Sequence, residues 1–235
     1  MSRSWKFSLV LAAAVGAAQA ASFVNAPLRA NGSSMPTPSP GPSMAAPSPE
    51  MMARDAYNSG IGHKDKGMKY EADALKQTAK DQEKTLGKAK DEYGKALKDF
   101  EKALKLVPDL YQAYNGLGFA YRKTGDYTKA LENYSKALDL APGFPDALEY
   151  RGEAYLGLNR IDDAKQAYLD LFAKDRAQAD QLMKAMTAWV AKHQTDPAGV
   201  DPAAVSGLDG WIKERAKVAT LTANMGLTNH ESIWK

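Results

Sequence analysis

The 235-residue chain contains no cysteine, only three histidines, and almost no excess charge of either sign. The absence of cysteine excludes disulfides, thiolate nucleophiles and cysteine-ligated metal sites. With 31 Lys+Arg against 28 Asp+Glu, the formal net charge of +3 is too small to suggest a nucleic-acid-binding protein. His63, His193 and His230 lie far apart and fit no metal-ligand spacing, so we expect no metal or other cofactor.

The N-terminus is predicted to be a secretory signal peptide over residues 1–20. Arg3 and Lys6 precede an uncharged apolar run over residues 7–18, and Ala18-Gln19-Ala20 supplies the small residues of a cleavage site. A membrane-spanning helix needs about 20 apolar residues, and no later segment approaches that length. An uncleaved membrane anchor is the alternative. We therefore expect a bacterial protein of the periplasm or the extracellular space, with no membrane span in the mature chain.

A proline-rich segment follows the predicted signal. Six prolines stand between residues 35 and 50, and proline supports neither a helix interior nor a sheet ladder. This composition predicts a disordered, semi-rigid linker over residues 21–54, with folded structure beginning after about Arg54. A docking site for a proline-recognising domain is the alternative.

The middle of the chain repeats with a period of 34 residues. Ala96, Ala130 and Ala164 stand at this spacing, and an aromatic residue follows each of them by four positions. Residues 111–144 contain the fullest copy of the pattern. Its recurring positions are Tyr114, Leu117, Gly118, Tyr121, Ala130, Tyr134, Ala137 and Pro142.

These residues resemble the tetratricopeptide repeat, whose motif has large, small, aromatic and proline residues at the same places. The resemblance is partial over 91–110, full over 111–144 and degenerate over 145–178. It implies an all-α fold, a short α-solenoid in which antiparallel helix pairs stack side by side. Such proteins bind protein or peptide partners in a concave groove lined by the first helix of each repeat.

The local chemistry of the full repeat agrees with two helices that cross closely. Gly125 tolerates a left-handed turn and Asp126 can cap a helix, so this pair predicts the boundary between them. Asn159 occupies the place of that glycine one repeat later. Gly118 and Ala130 are small where the two helices are expected to cross, and a bulkier residue at Ala130 is expected to destabilise the fold by about 1–3 kcal/mol.

Helical segments are predicted on both sides of the repeats. A helical extension over residues 55–90 continues into the first repeat, and its apolar spacing predicts one long helix over 65–106. That helix either caps the array or pairs with a second copy in a coiled coil, which makes a homodimer the structural alternative. Residues 179–194 predict a capping helix, and residues 195–235 a loop, a weak helix near 206–220 and a loose tail.

No sequence motif indicates catalysis. The chain has no nucleophile elbow and no phosphate-binding glycine loop, and no carboxylate stands in an apolar context that would mark a raised-pKa acid. We therefore expect a protein that is not an enzyme, although an enzyme, or a subunit of one, with unfamiliar carboxylate chemistry is a further alternative.

The predicted function rests on the outward positions of the first helices of the repeats. Three acidic residues in the degenerate repeat argue against capture of a C-terminal carboxylate and favour a basic or mixed-charge partner segment. A solvated helix face without a partner is the alternative. The predicted partner-binding residues are Gln112, Asn115, Phe119, Arg122, Asp146, Glu149, Tyr150 and Glu153.

Overall fold

The computed structural model describes residues 46–197 and 199–232, with side chains to residue 218. These residues form eight α-helices and no strand, which confirms the all-α fold class. The helices are α1 (Pro49–Ala74), α2 (Ala79–Leu106), α3 (Tyr111–Thr124), α4 (Tyr127–Leu140), α5 (Pro145–Gly157), α6 (Ile161–Lys174), α7 (Arg176–Thr195) and α8 (Pro202–Ser232). Consecutive helices pack as pairs, and α1, α3, α5 and α7 also contact one another in that order. The predicted stack of helix pairs is therefore present.

The ends of the repeat helices follow the predicted turn chemistry. Gly125 ends α3 with a φ of 90°, a left-handed conformation that costs glycine little. Asp126 caps α4 by accepting a hydrogen bond from the backbone N–H of Lys129 at 3.1 Å. Asn159, which follows the equivalent helix one repeat later, also has a positive φ, of 57°. Each of the two repeats therefore turns at the residue that the spacing predicted.

Small residues sit where the paired helices approach. Ala130 is fully buried, and a β-carbon on Gly118 would lie 2.5 Å from the ring of Tyr134. One repeat later, a β-carbon on Gly152 would lie equally close to the side chain of Leu182 in α7. Close packing of this kind leaves no room for an added methyl group.

The N-terminal region corrects the prediction of one continuous helix over 65–106. The chain instead turns at residues 75–78, and α1 and α2 form a hairpin. Thr78 has extended backbone angles at the start of α2, and its hydroxyl donates to Asp81 at 3.0 Å. The apolar spacing hid this turn because the buried faces of α1 and α2 continue in step on either side of it.

The hairpin is held by glycine–ring contacts and by a polar cluster. Gly60 and Gly67 lie against the rings of Phe100 and Tyr93, at distances that exclude a β-carbon. His63 Nδ1 lies 2.7 Å from Glu92 Oε2, so α1 is tied to α2 by a polar contact as well. The helix pair α1–α2 is therefore the first unit of the array, and its second helix contains the partial repeat over 91–110.

The outer boundaries also differ from the sequence expectation. Helix α1 begins at Pro49, inside the predicted linker over 21–54, because Ser48 caps it and proline suits the first helical position. Helix α8 runs from Pro202 to Ser232, so the weak helix predicted near 206–220 is much longer and the tail expected to be loose is helical to Ser232. The predicted signal peptide and residues 21–45 of the linker lie outside the described residues.

Candidate functional site

One face of the array, formed by α1, α3, α5 and α7, carries side chains that connect these four helices. We call the face formed by these four helices the inner face. The residues that connect its helices are Glu71, Arg122, Lys123, Asp146, Glu153 and Gln178. The eight predicted partner-binding residues lie on α3 and α5, the two central helices of this face. Their surroundings differ widely.

Arg122 is the most enclosed cation of the inner face. Its guanidinium pairs with Glu153 of α5 and donates to the hydroxyl of Tyr134 at 3.4 Å. The same group lies 5.1 Å from the ring centroids of both Phe119 and Tyr150, which are themselves 5.3 Å apart, so it packs against both rings. Arg122 therefore joins two repeats and has little freedom to pair with a partner.

The structure corrects the prediction that Phe119 is available to contact a partner. Its exposed fraction is 3%, because Tyr93 of α2 and Tyr150 of α5 pack edge-on against its ring. Lys64 of α1 also lies over this ring, at 5.5 Å. The N-terminal hairpin, which the sequence did not predict, supplies Tyr93 and Lys64 and so removes Phe119 from the surface.

The structure also corrects the expectation that no carboxylate has a raised pKa, and the residue concerned is Glu149. Its exposed fraction is 4%, and burial raises the pKa of its carboxyl to about 8. The neighbouring carboxylates of Glu153, Asp146 and Asp175 raise this pKa further, while Arg122 opposes them. Among the described residues Glu149 has no hydrogen bond or ion pair. It is a buried acid without a partner.

Asp146 lies on the same helix and has one polar partner. Gln178 of α7 donates to its Oδ1 at 2.7 Å, which ties the capping helix to the last repeat. Burial raises the pKa of Asp146, and the positive charge of Lys64 opposes that rise. Lys64 is therefore the cation of α1 that acts on this acidic part of the face.

Two amide side chains of α3 complete the site. The side-chain carbonyl oxygens of Gln112 and Asn115 are buried and have no hydrogen-bond donor among the described residues. They lie three residues apart on one helix, so both project from the same side of α3. An unsatisfied buried acceptor is unfavourable unless a ligand or water supplies a donor.

Four further residues of the inner face were not found from the sequence: Glu71, Lys123, Lys64 and Gln178. Lys123 of α3 pairs with Glu71 of α1 at 2.6 Å. In α1, Tyr57, Lys64 and Glu71 recur every seven residues, which is one face of a helix. That spacing was a usable signal, but only after α1 was recognised as the first helix of a pair.

Other parts of the structure offer little sign of a second chemical site. A cleft of about 360 Å³ lies at the turn before α3, and none of the eight predicted residues lines it. Its lining residues are Pro108, Asp109, Tyr114, Lys136, Asp139 and Leu140. Within the described ranges no three His, Asp or Glu side chains are placed to hold a metal ion. No helix in the same ranges has the length and hydropathy needed to cross a membrane.

Comparison with known families agrees with the helix-pair architecture. Residues 111–144 match a model described as tetratricopeptide repeat, and residues 88–125 match one described as TPR repeat. No curated protein matches the chain. The two overlapping matches cover α2 from residue 88 and all of α3 and α4. Tetratricopeptide repeats serve as protein-interaction modules. The chain therefore contains tetratricopeptide repeats, which the family models match over residues 88–144.

Proposed function

We propose that the chain is an exported, non-catalytic interaction protein whose inner face binds a basic segment of a partner protein. The observation that carries this proposal is Glu149 of α5, a residue only 4% exposed whose carboxyl group has no hydrogen bond or ion pair among the described residues. The amide oxygens of Gln112 and Asn115 on the neighbouring helix α3 also lack a donor. These groups are all hydrogen-bond acceptors in the state that binds a cation. Lysine and arginine side chains of a bound segment would supply the donors that these acceptors lack.

The balance of charge on the inner face supports a basic ligand. Arg122 and Lys123 are already paired with Glu153 and Glu71. The remaining charges are Asp146 and Glu149 against Lys64, whose amine also lies 3.5 Å from Asp65. The uncommitted charge is therefore negative when Glu149 is ionised, and both acids lie on α5, one of the helices that an extended segment would cross.

The same arrangement disfavours a C-terminal carboxylate as the ligand. A carboxylate needs free N–H donors, and the enclosed guanidinium of Arg122 is already engaged by Glu153, Tyr134 and two rings. Bringing a second carboxylate near Glu149 and Asp146 would add like-charge repulsion in a partly buried site. The proposed ligand is therefore basic or of mixed charge.

The two alternatives rest on other features. Self-association through a long N-terminal helix loses its main support, because α1 and α2 bury their apolar faces against each other in one chain. An enzyme or enzyme subunit draws support from the raised pKa of Glu149, since a general acid requires such a shift. Binding is the preferred function because the other unsatisfied groups of the inner face, on Gln112 and Asn115, are amide oxygens that accept hydrogen bonds from donors.

A displayed library of random peptides tests the proposal while the partner protein is still unidentified. We expect selection on the chain to enrich sequences with lysine or arginine, and the best peptide to bind Glu149→Gln at least about tenfold more weakly. Glu132→Gln is the matched control, because Glu132 is an exposed acid of α4 away from the inner face. This control is expected to bind like the wild type.

Two outcomes would contradict the proposal. Enrichment of acidic peptides, or of peptides with no charge preference, would show that the inner face does not select cations. Equal weakening by Glu149→Gln and Glu132→Gln would show that overall charge, not the acceptor site, governs binding. Circular dichroism of both variants would verify that each retains the helical fold.

A further inference from the structure

Helix α2 carries a row of lysines on its solvent side. At 1.5 Å per residue, the row spans about 37 Å from Lys80 to Lys105. Its residues recur every three or four positions along the helix, apart from a gap between Lys88 and Lys98, and all are exposed. We call them the α2 lysine row: Lys80, Lys84, Lys88, Lys98, Lys102 and Lys105.

The lysines of this row are not engaged by acidic side chains. Within the described residues, the one contact of the row is that of Lys88 with the ring of Tyr70, at 5.8 Å. The acids Glu92 and Asp99 of the same helix turn toward α1, where they contact His63 at 2.7 and 3.8 Å. Asp99 is therefore drawn toward α1. Glu92 also pairs with Lys95, an exposed lysine in the gap between Lys88 and Lys98, which is neutralised and for that reason not counted in the row.

The exposed side of α2 consequently carries an excess of positive charge. Its exposed residues include eight lysines and four acids. Asp91 stands in the gap of the row, and Asp81, Glu83 and Glu101 stand along the helix on either side of it. The small net charge of the whole chain conceals this local excess.

We propose that the α2 lysine row holds the protein against an anionic phospholipid membrane surface. A straight row of exposed ammonium groups can approach a plane of lipid phosphates along its whole length, and each lysine near such a surface adds to binding. The row contains no apolar side chain that would enter the bilayer, so the attraction is electrostatic and sensitive to salt. This surface lies on α2 and is separate from the inner face.

A membrane is favoured over a nucleic acid by the chemistry of the row. Recognition of nucleic acids relies strongly on arginine and, for single strands, on aromatic stacking, and the row has neither. Lysine is a compact, hydrated charge on a flexible stem, which suits a diffuse layer of lipid headgroups. Binding to a nucleic acid is an outcome that the test distinguishes.

Vesicle co-sedimentation tests the proposal with the chain from residue 21 onward. This form keeps every described residue and omits the apolar run of residues 7–18, which would itself enter a bilayer. We expect binding to vesicles of phosphatidylcholine with about 30% phosphatidylglycerol, no binding to phosphatidylcholine alone, and release at about 0.5 M salt. The variant K84Q/K98Q/K102Q is expected to bind about tenfold to a hundredfold more weakly.

The matched control, K174Q/K184Q/K213Q, removes the same charge from exposed lysines of α6, α7 and α8. It is expected to bind within about threefold of the wild type. Absence of wild-type binding, or equal loss in both triple variants, would overturn the proposal. Tighter binding to double-stranded DNA than to the anionic vesicles would also overturn it, in favour of a nucleic acid. Thermal unfolding of both variants would establish that neither loses the fold.

Discussion

The ring of Tyr134 occupies the space that a side chain on Gly118 would need, with only 2.5 Å between its Cε1 and the position of an added β-carbon. Tyr134 is fully buried, so its ring cannot swing into solvent to make room. This contact fixes the distance between α3 and α4. The Gly118–Tyr134 contact therefore also sets the position of the outward residues of α3, including those of the inner face.

Gly118→Ala is expected to destabilise the protein by about 1–3 kcal/mol, because the added methyl group overlaps the Tyr134 ring. Gly87→Ala is the matched control in α2, where a β-carbon would meet nothing within 4 Å. That change is expected to stabilise by about 0.5–1 kcal/mol through helix propensity. Urea unfolding of both variants measures the difference. Equal effects at the two glycines would contradict the close approach of α3 and α4.

The ion pair between Lys123 and Glu71 is expected to contribute more than a surface pair, because Glu71 is buried where α1 meets α3. Lys123→Met leaves that carboxylate buried without its partner, which is strongly unfavourable. A double-mutant cycle with Glu71→Gln should give a coupling free energy of about 1–3 kcal/mol. The exposed pair Lys129–Asp126 should give below about 0.5 kcal/mol. Similar values for both pairs would argue that α1 is not fixed to α3.

The repeat core was predictable because its signals are local and recur. Gly125, Asn159 and the small Gly118 each meet a backbone or packing requirement that the 34-residue spacing repeats. The break between α1 and α2 was not predictable in this way. It occurs at Thr78, which is neither a glycine nor a proline that would mark a turn in the sequence. It also depends on glycine–ring contacts such as Gly60–Phe100, which join residues 40 positions apart.

The inner face was only partly predictable for a related reason. Helical spacing identified Asp146, Glu149 and Arg122 as outward residues of single helices, and all three contribute to the face. Burial by other helices is a tertiary property, so spacing did not show that Phe119 is covered or that Glu149 has a raised pKa. Both outcomes depend on side chains contributed from outside the helix concerned.

Glu149→Gln is expected to stabilise the protein at alkaline pH. The pKa of Glu149 in the fold, about 8, lies above its ordinary value of 4.5, so folding favours the protonated form. The stability gained from that protonation is complete below pH 4.5 and is lost as pH rises toward 8. At pH 8.5 the variant should melt roughly 2–8 °C above the wild type, and at pH 4.5 the two should nearly coincide. A constant difference across pH would contradict the raised pKa.

Binding of a basic peptide is expected to release a proton. Below pH 8 the carboxyl of Glu149 is largely protonated, and a bound cation favours its ionised form. Affinity should therefore rise between pH 6 and 8, by up to about tenfold per unit, and then level off. Titration calorimetry in two buffers of different ionisation enthalpy should detect up to about one proton released at pH 6.5. Glu149→Gln should show neither effect, and a pH-independent wild type would contradict the role of this acid.

The position of a bound peptide is the most direct measure of whether the inner face binds a basic segment. A photoreactive residue placed next to the selected lysine or arginine of the best library peptide would be crosslinked to the chain and located by mass spectrometry. We expect crosslinks on α3 and α5 near Gln112, Asn115 and Glu149, and their loss in Glu149→Gln. Crosslinks confined to α4 or α6, or unchanged in Glu149→Gln, would contradict binding at this face.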